Sequence, residues 1–319
     1  MKQALPNAKH APPAIRVNEF HFSYKSVDAV RGISFEVGHG ELFGLIGPDG
    51  AGKTTTFRAL ATLFPVAEGS LQLAGLDVAT EFRDLRKRIG YMPQRFSIYP
   101  DLTVRENLLF FASLFGVPEK ERTERLRSLF AFSNLEPFKN RLAGNLSGGM
   151  KQKLALSCTL IHEPEILILD EPTTGVDPVS REEFWHILHK LKQDGVTILV
   201  STPYMDEADL CDRVAIMNRG RILAIDRPAH LLSLFPGLLY EIETRSPVAL
   251  AKRLRTLPAI TEVHTFGDRV HFTAREAVPE SDVRAQTLTV TGEDEVLKTV
   301  PPSLEDVFIY LMREQHEEA

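Results

Sequence analysis

The chain has 319 residues, 43% of them apolar and 25% charged, and a formal net charge of −6. That length and apolar content suffice for a large core and for more than one domain, while the acidic balance leaves no basic footprint for nucleic acid. Two cysteines, Cys158 and Cys211, exclude a disulfide framework and suit a reducing compartment. No apolar run approaches the ~20 residues that span a bilayer, and the first six residues lack the apolar stretch of an export leader, so any membrane passage is expected to come from a partner.

Residues 1–14, punctuated by Pro6, Pro12 and Pro13, read as a flexible tail. Residues 15–22 alternate like a strand and lead to Tyr24, whose ring has two readings, packing on the sheet or stacking on a nucleobase. A second strand, residues 41–46, delivers Gly47-Pro48-Asp49-Gly50-Ala51-Gly52-Lys53-Thr54, which fits G-x-x-x-x-G-K-[ST] at every fixed position. Lys53, Thr54 and Thr55 open the helix that follows. The glycines let the backbone approach phosphate closely and turn successive N–H groups toward one anion, and the helix dipole adds to that field. Lys53 then supplies a point charge for the β/γ-phosphates, and the Thr54 hydroxyl supplies a Mg²⁺ ligand.

From about residue 95 to 160 the pattern turns helical, with runs at 104–115 and 119–132. The apolar cluster from Leu108 to Phe115 serves either the core or a partner contact. Ser147 is a good N-cap for a helix over 150–160, and Gly148 and Gly149 expose backbone N–H groups there, a second anion-binding helix start. Residues 165–171 place four apolar residues before Asp170 and Glu171, the pattern of a buried parallel strand delivering two acids to its carboxyl end. There Asp170 is placed to hold Mg²⁺ and Glu171 to polarise an attacking water. His186 and His189, near Trp185, share a helix face, but no third ligand accompanies them and a metal site there is not expected. Residues 196–200 form a further strand.

Taken together, these motifs resemble those of the ATP-binding subunit of an ATP-binding cassette (ABC) transporter, and the resemblance covers nearly all of residues 15–230. In order, they are Tyr24, the phosphate loop, Gln94, the signature Leu146-Ser147-Gly148-Gly149-Met150-Lys151-Gln152, Asp170-Glu171, and Asp177 in Gly175-Val176-Asp177-Pro178. The resemblance implies an α/β fold, a P-loop NTPase cassette with a mixed sheet core and a helical subdomain at about 95–160. It also implies ATP and Mg²⁺ as ligands, with Thr54, Gln94 and Asp170 around the metal. Leu146, Ser147, Gly148, Gly149 and Gln152 would act in trans on ATP held by a second ABC domain, and Asp177 would lie in a dimer-contact loop. Separate transmembrane permease subunits would be the other partners, with the chain peripheral on the cytoplasmic face of the membrane.

One position departs from the family. Where a histidine usually follows Ser201-Thr202, this chain has Pro203, which has no side-chain polar group and no backbone N–H. A slow site of its own is expected, completed in a heterodimer with a different cassette or, as the less favoured arrangement, used in a homodimer that relies on Glu171 alone. A nucleotide-gated subunit with negligible hydrolysis and a soluble non-transport ABC protein are the alternatives. The latter usually carries two cassettes or a long insertion, and neither is present.

Beyond residue 230 the character changes. Strand patterns at 238–244, 263–266 and 269–273, a helix at 248–254 and a final helix capped by Ser303 and running through Gln315 describe a small C-terminal α+β domain over 231–319. Its closing stretch, residues 301–308, is similar to that of ABC subunits of drug, antibiotic and polysaccharide exporters. A packing or dimerisation role and a regulatory one are both open for this domain.

Overall fold

Residues 12–95, 98–275, 278–291 and 295–317 are described by a computed structural model; most of the proline-punctuated tail expected at 1–14 lies outside them. The chain divides into two compact units at Pro228 and Ala229. In chain order the first contains β1 (Ile15–Tyr24), β2 (Val27–Val37), β3 (Leu42–Ile46), α1 (Lys53–Leu60), β4 (Glu68–Leu73), β5 (Leu76–Asp77), α2 (Phe82–Arg88) and β6 (Ile89–Met92). It continues with α3 (Val104–Leu114), α4 (Glu119–Ser133), α5 (Gly148–Leu160), β7 (Ile166–Asp170), α6 (Pro178–Gln193), β8 (Thr197–Thr202), β9 (Arg213–Asn218) and β10 (Arg221–Asp226).

Two sheets form from these strands. One is antiparallel, in the order β2-β1-β4-β5; the other has the order β10-β9-β3-β8-β7-β6 and is parallel except for β10. Every residue of β3, β7 and β8 is buried, which explains their nearly continuous apolar sequences, since a parallel strand is covered on both faces. Phe20, Ile33, Leu71, Phe57, Leu60, Phe43 and Ile168 meet in one core with α1 among them, and each such side chain contributes roughly 1.5–3 kcal/mol on burial. Phe35 stacks on Phe43 at 5.5 Å.

Local sequence sets the helix starts. Thr103 accepts from Glu106 N while the Glu106 carboxylate accepts from Thr103 N, a reciprocal cap that begins α3. Ser147 accepts from Met150 N at the head of α5, and Asp177 accepts from Ser180 N ahead of Pro178 at the head of α6. Asn134, at φ 57°, closes α4 in the left-handed region. Strand β2 went unread in the sequence because Gly32, at φ +70°, interrupts its alternation and shifts its register against β1.

The second unit begins within α7 (Pro228–Leu232). It contains β11 (Leu239–Glu243), α8 (Pro247–Leu254), β12 (Ile260–Phe266), β13 (Arg269–Ala274), α9 (Glu280–Leu288), β14 (Leu297–Val300) and α10 (Leu304–Glu317). Its sheet, β12-β13-β11-β14, is antiparallel throughout, with the β12–β13 turn at Gly267 and Asp268. Helix α9 and strand β14 were not anticipated: α9 buries little beyond Val283 and Thr287, and β14 has no buried residue, so neither carries a strong periodic signal. Ser303 caps α10, accepting from Asp306 N and donating to Asp306 Oδ2.

A buried histidine ties α10 to this sheet. His271 Nδ1 lies 2.9 Å from Asp306 Oδ1 and Nε2 lies 3.1 Å from Glu241 Oε2; two carboxylates on the two ring nitrogens require both to donate, hence an imidazolium. Burial alone opposes that charge, but Asp306 and Glu241 outweigh it and raise the His271 pKa above 6.5. Burial likewise opposes the charge on Asp306, yet the bonds from His271 and Ser303 hold its pKa below 3.8. Arg269, against Glu241, adds a positive charge, and His264 of β12, its pKa lowered chiefly by burial, completes the surroundings. Because the folded His271 pKa is raised, its stabilisation is fully present below pH 6.5 and is lost as pH rises through the folded value; that of Asp306 is present above pH 3.8 and is lost as pH falls through its own. Amide exchange of α10, corrected for the intrinsic rate, is therefore expected to lose protection as pH rises above 6.5 through the folded value of His271, and in His271→Gln this pH dependence disappears.

Candidate nucleotide site at the strand ends

The parallel register brings three carboxyl ends side by side. Ile46 pairs with Thr202 and Ser201 with Asp170, so the loop after β3, the segment after β8 and the acids ending β7 converge on one edge, where open α/β sheets bind ligands.

The loop between β3 and α1 depends on its glycines. At Gly47, with φ +152°, a Cβ would come within 2.0 Å of the Met217 carbonyl oxygen, and at Gly52, with φ +110°, within 2.5 Å of that of Ala29. Nothing lies within 4 Å of a Cβ built at Gly50, which faces the open side. The loop is thus clamped between β2 and β9 on one side and free on the other. A cavity of about 410 Å³ occupies that free side, lined by Tyr24, residues 49–55, Gln94 and Glu171. Pro48 adjoins it in sequence. Tyr24 is 42% exposed, and its hydroxyl accepts from Thr55 Oγ1 at 3.4 Å; its ring meets Phe22 edge-on at 5.0 Å and Phe64 at 5.9 Å. It therefore packs against the sheet aromatics while also lining the cavity.

Lys53 is 3% exposed, an unusual position for an ammonium. Nζ donates to Gly47 O at 2.7 Å and Pro48 O at 3.1 Å and lies 3.3 Å from Glu171 Oε1. Glu171 Oε2 accepts from Gln94 Nε2 at 2.7 Å and from Thr174 Oγ1 at 3.4 Å. Lys53, Gln94 and Glu171 thus satisfy one another, and phosphate oxygens entering the loop would compete for the lysine. The backbone of Glu171 is itself strained, at φ 48°, a conformation costing a non-glycine residue roughly 1–3 kcal/mol.

Asp170 Oδ1 accepts from Thr54 Oγ1 at 3.1 Å and Ser201 Oγ at 2.9 Å, whereas the buried Oδ2 has no partner. Burial raises the Asp170 pKa, and the two hydroxyl bonds offset this only in part. Burial also raises that of neighbouring Tyr91 to about 12, with the Asp170 charge adding to it. An unpartnered carboxylate oxygen beside a threonine hydroxyl is a hard-oxygen set that a divalent cation would complete, and these residues fit Mg²⁺. Thr54 and Asp170 would hold it, with Gln94 beside them; the cation would supply charge neutralisation for phosphate oxygens.

The signature residues divide by burial. Ser147 and Gly148 are exposed at the head of α5. Leu146 and Gly149 are buried, and a Cβ at Gly149 would reach Ser180 Oγ at 2.4 Å, so glycine there lets α5 approach α6 and the Asp177 cap. Gln152 requires a correction. Expected to act on a second domain, it is 0% exposed and both amide atoms are enclosed without partners; one turn into the helix its side chain points inward, so it cannot reach a neighbouring subunit as the chain is folded here. Asp177 is exposed, and its hydrogen bonds from the Ser180 backbone and side chain lower its pKa.

Pro203 follows the last residue of β8 and is half-buried. The segment around it is fixed by Glu207, whose Oε2 accepts from Thr173 Oγ1 at 2.9 Å and Thr202 Oγ1 at 2.5 Å. Arg181 lies 3.5 Å from Glu207 Oε1 and 4.3 Å above the Tyr204 ring. Neither Glu207 nor Ser201 stood out in the sequence as a site residue, because a single polar residue beside a strand end carries no pattern. His186 pairs with Glu182, and no cluster of three or more potential metal ligands occurs among the described His, Cys, Asp and Glu residues.

The ABC transporter family profile matches residues 30–174. The probable multidrug ABC transporter ATP-binding protein YbhF of Escherichia coli K12 is 40% identical over 287 residues, 89% of this chain and 49% of YbhF, so the chain spans about half the length of that relative. The Nod factor export ATP-binding protein I of Burkholderia lata is 38% identical over 303 residues, 94% of this chain and 97% of the relative. Among solved structures, cbiO1 of Clostridium perfringens, part of the ABC transporter complex cbiONQ, superposes with a TM-score of 0.64 at 27% identity, covering 69% of this chain and 91% of that one. A dimeric ATP-binding cassette in a post-hydrolysis state with ADP and Pi superposes with a TM-score of 0.61 at 26% identity, covering 67% and 98%. With the phosphate loop, the paired acids and the signature helix on one cassette fold, the chain belongs to the ATP-binding cassette ATPases of ABC transporters.

Proposed function

We propose that this chain binds and hydrolyses Mg²⁺-ATP to drive export through a separate membrane permease. The observation that carries hydrolysis is the junction of Lys53, Gln94 and Glu171 at the end of β7, beside an Asp170 oxygen left bare. In this reading ATP phosphates draw Lys53 from its loop carbonyls, and the Glu171 carboxylate so released accepts a proton from the attacking water. Export is supported by the names of the relatives, one a probable multidrug transporter protein and the other a Nod factor exporter. No described helix is long and apolar enough to cross a membrane.

A surface next to Gln94 suits the permease. Tyr91, Met92, Pro93, Ile98, Phe111 and Phe115 line an apolar pocket, and Tyr99, Phe110 and Leu114 around it are exposed. We assign this patch to a short helix of the permease, so that docking is felt at Gln94. In the Leu108–Phe115 cluster, Leu108 and Ala112 are buried and belong to the core, while the exposed Phe110, Leu114 and Phe115 support the partner-contact reading.

The exposed Ser147 and Gly148 at the head of α5 suit an anion presented by a second cassette, and the dimeric relative with ADP and Pi supports a two-cassette assembly. With Pro203 in place of a polar side chain, we favour a heterodimer in which the partner completes the faster site. Two identical subunits relying on Glu171 form the second arrangement.

Glu171→Gln is expected to reduce phosphate release about 10²- to 10⁴-fold while ATP binding stays within a few-fold of the parent; both are measured on the purified chain, and retained turnover would remove Glu171 from its role. Pro203→His is expected to raise turnover by up to about 10²-fold if the missing proton-handling group limits the rate. An unchanged rate would show that proton handling at this position is not limiting. Gentle detergent solubilisation with ATP should recover the chain bound to a membrane protein; recovery alone would count against export.

A further inference from the structure

We propose that Ser201 is a positioning residue of the ATP site, setting the orientation of Asp170 toward the metal and of Glu171 toward water through one buried hydroxyl. This rests on the reading of the site as a Mg²⁺-ATP site. Ser201 lies on β8 directly opposite Asp170 and is 0% exposed. Its Oγ donates to Asp170 Oδ1 at 2.9 Å and accepts from Glu171 N at 3.0 Å. The same N–H also reaches the Ser201 carbonyl oxygen at 3.2 Å.

Each bond has a consequence. Asp170 Oδ1 receives two hydroxyl donors, one from α1 through Thr54 and one from β8. Held from both sides, the carboxylate cannot rotate freely, and Oδ2, enclosed and without a hydrogen-bond partner, keeps its acceptor capacity. The bond to Glu171 N acts on a residue whose backbone sits at φ 48°, a conformation that persists only when its surroundings impose it. With the N–H tied to Ser201, the glutamate side chain leaves the strand toward Lys53 and Gln94.

The neighbouring residues of β8 do not duplicate this. Thr202 gives its hydroxyl to Glu207, and Pro203 has none to give. In a chain lacking the usual histidine, β8 therefore reaches both acids through Ser201. The hydroxyl touches neither the phosphate loop nor Lys53 in the contacts given above, so its removal should act on metal response and turnover rather than on nucleotide affinity at saturating metal.

The test compares Ser201→Ala with the parent chain by titrating Mg²⁺ at fixed ATP, reading nucleotide binding by equilibrium dialysis and phosphate release in parallel. The half-saturating Mg²⁺ concentration is expected to rise about tenfold or more in both readouts, the range seen when a partner that orients a metal ligand is removed. ATP affinity at saturating Mg²⁺ should change less than threefold and the melting temperature little. An unchanged Mg²⁺ dependence would overturn the proposal, and so would an equal loss of ATP affinity at every Mg²⁺ concentration, the mark of a merely structural role. Should the alanine variant fail to fold, Ser201→Cys, close in volume but a weak hydrogen-bonding partner, is judged by the same two criteria. If the parent itself releases no phosphate, hydrolysis fails as a reading, while the Mg²⁺ dependence of nucleotide binding still decides the role of Ser201.

Discussion

Burial of charge at the end of β7 is the constraint on which the first unit depends. Asp170 ends a strand with no exposed residue and Glu171 follows it almost fully buried, so protein groups must supply most of the solvation that water gives a free carboxylate. Lys53 answers from the phosphate loop, Thr54 from the first turn of α1, Ser201 from β8 and Gln94 from the segment after β6. The answering groups come from α1, β8 and the segment after β6, so the parallel order of β3, β8, β7 and β6 is a condition for compensating the acids at all. Compensation stops one atom short: Asp170 Oδ2 stays bare. A fully satisfied aspartate would have nothing to offer a cation.

The same economy shapes the signature helix. Its first residues, Ser147 and Gly148, face outward with a serine cap, and Gly149 is small because Ser180 of α6 stands against it. The helix head that can present N–H groups to an anion is thereby packed on the helix capped by Asp177. In the C-terminal unit the charge problem is met differently. There a histidine bridges two carboxylates, and the fastening of α10 to its sheet responds to protonation.

Much of the cassette was legible in the sequence where local chemistry dictates structure. A glycine loop that must approach phosphate tolerates few alternatives, a serine or aspartate before a helix announces its start, and four apolar residues before two acids describe a buried strand. Strands β4, β5 and β10 were not legible, nor was α2, because short or half-exposed elements take their form from neighbours rather than from periodicity. The orientation of Gln152 was also hidden. Its place in the signature suggested an outward role, but at 100° per residue the helix turns it into the interior.

By itself, then, the sequence determined the presence of a phosphate loop, its lysine and threonine, the two acids, the signature cap, the family, and the proline where a histidine is usual. These are properties of residues close together in the chain, where backbone geometry and side-chain type are enough. Tertiary structure alone decided which groups satisfy the acids, that Ser201 faces Asp170 across 31 positions, that Glu207 anchors the segment beside Pro203, and that His271 lies between Glu241 and Asp306. The physical reason is strand register. Pairing β8 against β7 one residue out of step would turn Ser201 to the other face of the sheet and leave Asp170 buried without it.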